Sequence, residues 1–270
     1  EGPRFFHRTG HGIGLEEHED PYIVAGNATL LVPGYEPARD VPNAAELPDP
    51  AIDELASGPV SLYLAMELLE GESALELFQR RVKGAPLDIP ASCELIAQAA
   101  EGLHAAHQTR DDSGKPLQVV HRNIGLANLI LCPDGRVKVI DFGIHWALGR
   151  KTHTEPGTLK GQAGYMSPEQ LRNQPFDHRA DLYSLGVVFH ELLAGRRLFE
   201  GDSPMQWFKA QLEGTVPQLD ASVVPARLNS LVQSMLARSP ADRPRSAGEL
   251  ARSLRALVAD LYPGARKRPP

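Results

Sequence analysis

Only two cysteines, Cys93 and Cys132, occur in the 270 residues, and both sit inside apolar stretches. A reduced, cytoplasmic setting suits them better than a disulfide framework. No apolar run reaches the ~18 residues that a membrane span needs. The best candidate, Leu185 to Leu193, is interrupted by His190 and Glu191. No signal-peptide pattern opens the chain. The net charge of -6 gives no strong field for nucleic acid. The one basic run, Arg266-Lys267-Arg268, lies in a Pro-rich end and reads as a solvated tail over residues 263–270. Lysine is missing from everything before Lys83. What remains is ordinary globular composition, 42% hydrophobic and 23% charged, on a chain long enough to bury a sizeable core.

Patterning changes along the chain. Residues 1–34 are rich in Gly and His, and residues 35–58 carry many Pro, Ala and acidic residues with little periodicity, as in a linker. Regular patterning begins after Pro59. Ser61 to Glu67 is a short apolar run, read as a buried strand. Ile89-Pro90 opens a helix, with Pro in its first turn, and Ile96, Ala99, Ala100 and Leu103 follow on one face. Leu129–Cys132 and Val137–Ile140 flank Pro133-Asp134-Gly135, a hairpin signal. Ala180 to Ala194 is apolar nearly all round and predicts a buried central helix. Further amphipathic helices are predicted over Pro204–Leu212, Ala226–Ala237 and Ala247–Leu261.

The chemistry clusters around the hairpin. His121-Arg122-Asn123-Ile124-Gly125-Leu126-Ala127-Asn128 precedes its first strand, and Asp141-Phe142-Gly143 follows its second. Pairing the strands sets Asn128 and Asp141 side by side, although they are thirteen positions apart. A carboxylate beside an amide oxygen suits a hard cation such as Mg²⁺ bridging phosphates.

These motifs resemble those of the protein kinases. The first stretch is similar to the catalytic loop at His121, Arg122 and Asn128, and Asp141-Phe142-Gly143 to the metal-binding triplet. Ser167-Pro168-Glu169 resembles the A-P-E motif. Asp181 to Gly186 resembles the start of the large lobe's central helix, and Arg243 the arginine that pairs with the A-P-E glutamate, here Glu169. Tyr63 to Gly71 resembles the hinge, with Met66 as gatekeeper. The matches run in family order over about residues 59–262 and are most similar to bacterial, myxobacterial-type Ser/Thr kinases. The resemblance implies an α+β kinase-like fold with a mainly helical large lobe and short hairpins. It implies ATP, faced by the backbone of Glu67 and Leu69, Mg²⁺ on Asn128 and Asp141, and a protein substrate or partner. His121, Arg122, Phe142, Gly143, Glu169, Asp181 and Arg243 would be structural. Arg122 would meet a phosphorylated loop, with Thr152, Thr154 and Thr158 as candidate sites.

Two departures stand out. The catalytic-loop aspartate that takes the hydroxyl proton is replaced by Asn123, and an amide has no useful basicity. The usual lysine two residues on is Gly125. An ATP-gripping lysine ahead of the hinge is absent, because the first lysine is Lys83. Gly10-His11-Gly12-Ile13-Gly14 fails the spacing of a phosphate loop. The small lobe is therefore expected to be missing or largely incomplete. Two readings stay open: an impaired pseudokinase acting as a binding module, and a Ser/Thr kinase whose N-terminal lobe is lost or replaced.

Phe5 to Glu19 and on through Leu31-Val32-Pro33-Gly34 resembles a segment of the pita-bread metallopeptidases, the Xaa-Pro dipeptidases and methionine aminopeptidases. That resemblance implies a metal-ligand role for His11 and a substrate contact for His18. A catalytic metal normally takes three or more protein ligands. The partner aspartates and glutamates are not recognisable, so both histidines read as ordinary polar residues on a fragment. Such a fragment would either lack order or lie against the exposed end of the hinge strand.

Overall fold

The computed structural model describes residues 29–31, 63–65, 69–80, 87–111, 113–142, 163–199 and 204–263. The chain divides into two compact units, Glu1–Leu69 with Phe142–His153, and Glu70–Asp141 with Thr154–Pro270. In the first unit, β1 (Thr29–Leu31) pairs antiparallel with β2 (Tyr63–Ala65), Leu30 opposite Leu64. β2 lies inside the strand predicted over Ser61 to Glu67. β1 is the only part of residues 1–34 that the structure describes.

The second unit begins with a three-stranded antiparallel meander. β3 (Glu72–Ser73) pairs with β4 (Leu129–Leu131), and β4 pairs with β5 (Val137–Val139). The β4–β5 turn closes through Cys132 N–H on the Arg136 carbonyl, at 2.8 Å, and Arg136 N–H on the Asp134 carboxylate. Helix α1 (Ala74–Arg80) follows β3 directly, its first turn held by reciprocal bonds between Ser73 and Glu76.

Helix α2 (Ile89–His107) starts where the Asp88 side chain accepts from Ala91 N–H. Its buried face carries Cys93, Ile96, Ala97, Ala99, Ala100 and Leu103. Burial pushes the Cys93 thiol up to about 12, so it stays a protonated thiol. Alanines let neighbours approach closely, and α2 lies against α4 (Arg179–Ala194), α7 (Ala247–Leu261) and β5. Gln98 of α2 clips the hairpin, donating to the Gly135 carbonyl and accepting from Val137 N–H.

Every residue of α4 from Ala180 to Leu193 is buried, as its apolar sequence predicts. Short α3 (Pro168–Leu171), then α5 (Pro204–Glu213) and α6 (Ala226–Met235), complete the helical body. Its core includes Tyr183, Phe189, Leu192, Leu228, Met235 and Leu254. Full burial of each such aliphatic side chain contributes about 1.5–3 kcal/mol. Among the described residues, no helix is long and apolar enough to cross a membrane.

The α4–α6 crossing depends on Gly186. A Cβ there would lie 2.8 Å from the Met235 Cβ, an overlap that requires a shift. Gly186→Ala should therefore destabilise the fold by about 1–3 kcal/mol through overpacking, even though alanine favours a helix. Urea unfolding measures this, and a variant as stable as the parent would show that α6 yields freely.

Candidate active site

The site is built around Asp181, in the first turn of α4 and fully buried. Its Oδ2 accepts from His121 N–H and from His107 Nε2–H, each at 2.8 Å, and its Oδ1 accepts from Arg122 N–H at 2.8 Å. A buried carboxylate is tolerable only when so satisfied. The two loop amides are thereby pinned to the helix start. Arg122 is held at φ 70, a left-handed conformation that a non-glycine residue adopts only when its surroundings insist. Its guanidinium lies over the Phe176 ring, 5.6 Å from the centroid.

His121 carries the connection onward. Nε2–H donates to the Ile140 carbonyl at 2.9 Å, and Nδ1 accepts from Asn123 N–H at 3.3 Å. Those partners need the neutral ring. Burial holds His121 below the usual imidazole range, in keeping with that state.

Asn128 Nδ2–H donates to the Asn123 carbonyl at 2.8 Å, and Ile140 N–H donates to the Asn128 carbonyl at 3.0 Å. The loop, the amide and the strand end therefore meet. Asn123, Asn128 and Asp141 are brought to one edge of the β4–β5 hairpin, as the strand pairing predicts. Asp141 has φ 62. With its Nδ2 committed to a carbonyl, Asn128 would offer Oδ1, and Asp141 its carboxylate, to a cation. That donor set fits Mg²⁺, which takes one or two protein ligands and keeps phosphate oxygens and waters for the rest.

A second layer holds residues 164–170. Ser167 caps α3 in a reciprocal box with Gln170, whose Nε2–H also reaches the Arg122 carbonyl at 3.1 Å. Glu169 and Arg243 form a bidentate pair at 2.6 and 2.8 Å. Arg243 also donates to the carbonyls of Ala237, Arg179 and Arg238, and its guanidinium lies over the Tyr183 ring. Burial works to raise the Glu169 carboxyl, but the Arg243 bonds win and hold it below the usual carboxylate range. Tyr165 donates its hydroxyl to Glu191 at 2.9 Å, and Arg197 bonds both. Burial pushes Glu191 up. The Tyr165 ring closes over Gly125, where an added Cβ would lie 3.2 Å from ring carbon Cδ2.

Of the residues singled out in the sequence, His121, Arg122, Asn123, Asn128 and Asp181 thus share one network, Glu169 and Arg243 form the pair behind it, and Asp141 follows Ile140, which is bonded to both His121 and Asn128. Leu69 and Phe142 belong to the first unit. Met66, Glu67, Gly143, His11, His18 and the three loop threonines lie outside the described residues. Sequence reading missed His107, Tyr165, Gln170 and Arg197. It met Glu191 only as an interruption of an apolar run, which is itself the signal of a buried, partnered charge.

Arg243→Met leaves Glu169 buried and unpaired, and should lower stability by about 3–5 kcal/mol. Adding Glu169→Gln should recover part of that loss. A single-variant loss below about 1 kcal/mol in urea unfolding would show the pair to be dispensable. A pH effect follows from His121 and His190, both held low first by burial. The folded chain keeps these rings neutral, whereas the unfolded chain takes up protons below about pH 6.5. Stability should therefore fall as pH drops from 7 to 6, and melting temperatures unchanged over that range would contradict this origin.

Comparison with known proteins agrees with this geometry. The family model described as "Protein kinase domain" matches residues 51–253. The chain is 36% identical to the tyrosine-protein kinase MasK of Myxococcus xanthus over 84% of its length and 36% of that relative's. It is 35% identical to the serine/threonine-protein kinase PknL of Mycobacterium tuberculosis, over 74% of the chain and 48% of the relative. With the serine/threonine-protein kinase PknA of Corynebacterium glutamicum it shares 34% identity, over 78% of the chain and 41% of the relative. The chain thus spans between about a third and a half of these relatives' lengths. The match runs through the catalytic-loop, A-P-E and central-helix residues whose bonds build the site, and the chain belongs to the protein kinase domain family.

Proposed function

We propose that this chain is a Ser/Thr-type protein-kinase large lobe with impaired phosphoryl transfer, a pseudokinase or kinase remnant acting chiefly by binding. The observation that carries this reading is Asn123 at the base position of an otherwise assembled loop. Its backbone N–H and carbonyl are held by His121 and Asn128. The side chain there orients a hydroxyl but takes no proton from it. Asn128 and Asp141 would hold Mg²⁺, whose charge offsets that of the ATP phosphates. The hinge backbone at Glu67 and Leu69 would face adenine, Met66 beside it. The missing lysine ahead of the hinge weakens the grip on the phosphates. The reading includes a cytoplasmic setting, consistent with two free cysteines. It also treats residues 1–34, with His11, as a peptidase-like fragment joined through 35–58 to the lobe.

A second reading, a Ser/Thr protein kinase transferring the ATP γ-phosphate whose N-terminal lobe is lost or replaced, is favoured by Asn128, Asp141 and Glu169 being kept and by the kinase relatives. One experiment separates them. Purified chain should transfer phosphate from ATP to a generic Ser/Thr substrate only at a trace rate that Asp141→Ala leaves unchanged, and Asn123→Asp should raise any transfer by no more than about 10²–10⁴-fold. Transfer by the parent chain that Asp141→Ala abolishes would sink the impaired reading.

A further inference from the structure

Between α5 and α6 the chain runs from Gly214 to Val224 without regular structure. Leu219 and Val224 are buried there, while Val223 stays exposed. The backbone of this strap bonds only within itself or to the end of α5, as where Val223 and Val224 N–H both reach the Asp220 carbonyl. Among the described residues, the bonds that tie it across to α4 and α6 come from side chains. His190 of α4 and Gln233 of α6 both donate to the Pro217 carbonyl, at 3.1 and 3.2 Å. Asn229 accepts from Leu219 N–H, and Arg238 donates to the Gly214 carbonyl. His190 is the buried one of the four, 2% exposed.

His190 Nε2–H points at a carbonyl, so the neutral ring carries its lone pair on Nδ1. Nδ1 is buried with no hydrogen-bond partner. A lone pair is tolerated there, but a second proton would make it a buried, unpartnered N–H on a charged ring. The bond to Pro217 survives that proton; the burial does not. The charged groups of the elements the ring meets are Glu191 and Arg196 at and after the end of α4, Asp220 on the strap, and Arg227 and Arg238 at either end of α6. Of these, Arg196 bears on the ring, and it opposes a positive charge there. Burial, the larger cause, also holds the ring below the usual imidazole range. We infer that His190 is a pH-sensitive latch: neutral, it holds the strap down, and protonated, it lets the strap lift while the helices stay folded. Lifting gives Nδ1 water and uncovers Leu219 and Val224, so acid turns this face apolar. The latch acts whether or not the chain transfers phosphate.

The sign and size follow from linkage. An opened strap leaves the ring near its ordinary value of about 6.5, so opening is coupled to proton uptake below that pH and should become about ten-fold more frequent between pH 7.5 and 5.5. Bonds from Ser222 hold the Asp220 carboxyl below the usual carboxylate range, so it takes no proton in that window. Amide hydrogen exchange on the full chain, corrected for intrinsic rates at each pH, reads the opening. Protection at Leu219 and Val224 should fall about ten-fold from pH 7.5 to 5.5, and sub-denaturing urea should barely change it, as for a local opening. His190→Gln keeps a donor for Pro217 but takes no proton, so its strap protection should be the same at both pH values. Constant strap protection in the parent, a fall that His190→Gln retains, or strap exchange with the urea dependence of α4 would each overturn the latch. The parent's pH and urea dependence decides the matter even where the variant fails to fold.

Discussion

The buried carboxylate of Asp181 is the constraint from which the site follows. An isolated charge in that position would be strongly unfavourable, and three N–H donors at 2.8 Å make it tolerable. The start of a helix also favours a negative charge. In accepting from His121 and Arg122, Asp181 forces the loop through a left-handed residue, which costs about 1–3 kcal/mol and would not persist unaided. His121 then ties that loop to Ile140, and Asn128 ties it to the strand before. The hairpin, the loop and the central helix are one hydrogen-bonded body because a single carboxylate demands it.

Two further buried charge groups stand behind this body. Glu169 with Arg243, and Glu191 with Tyr165 and Arg197, each seat a carboxylate within reach of several donors. Buried ion pairs add little net stability over an apolar equivalent, but they are costly to break. Their effect is to hold residues 164–170 in one arrangement. Gln170 then carries that order back to the Arg122 carbonyl.

Asn123 sits inside this order without supporting it. The bonds that place it use its backbone N–H and carbonyl, not its side chain. An aspartate can therefore become an asparagine with the scaffold undisturbed. That is a physical reason why the proposed exchange at position 123 leaves the lobe's fold intact.

Periodicity in the sequence determined much. The helix over Ala247–Leu261 matches the predicted range, α2 opens at the predicted Ile89, and α4, α5 and α6 differ from their predicted ranges by one or two residues at an end. Their apolar spacing leaves one stable way to bury each face. Pro133-Asp134-Gly135 determined the hairpin, and through it the bond of Ile140 to the Asn128 carbonyl. Short α1 and β3 escaped, being too brief to show a period. The partners of Asp181 and Glu191 also escaped, for a different reason. His107 lies on one helix and Asp181 on another, 74 positions away, and nothing local marks the bond between them. Gln211 reads as an ordinary polar residue until α5 brings it against Gly164 and Met166. Sequence determined which residues could do chemistry here. Tertiary structure alone decided which buried groups meet, because a buried charge is satisfied by whatever donors folding brings to it, however distant in the chain.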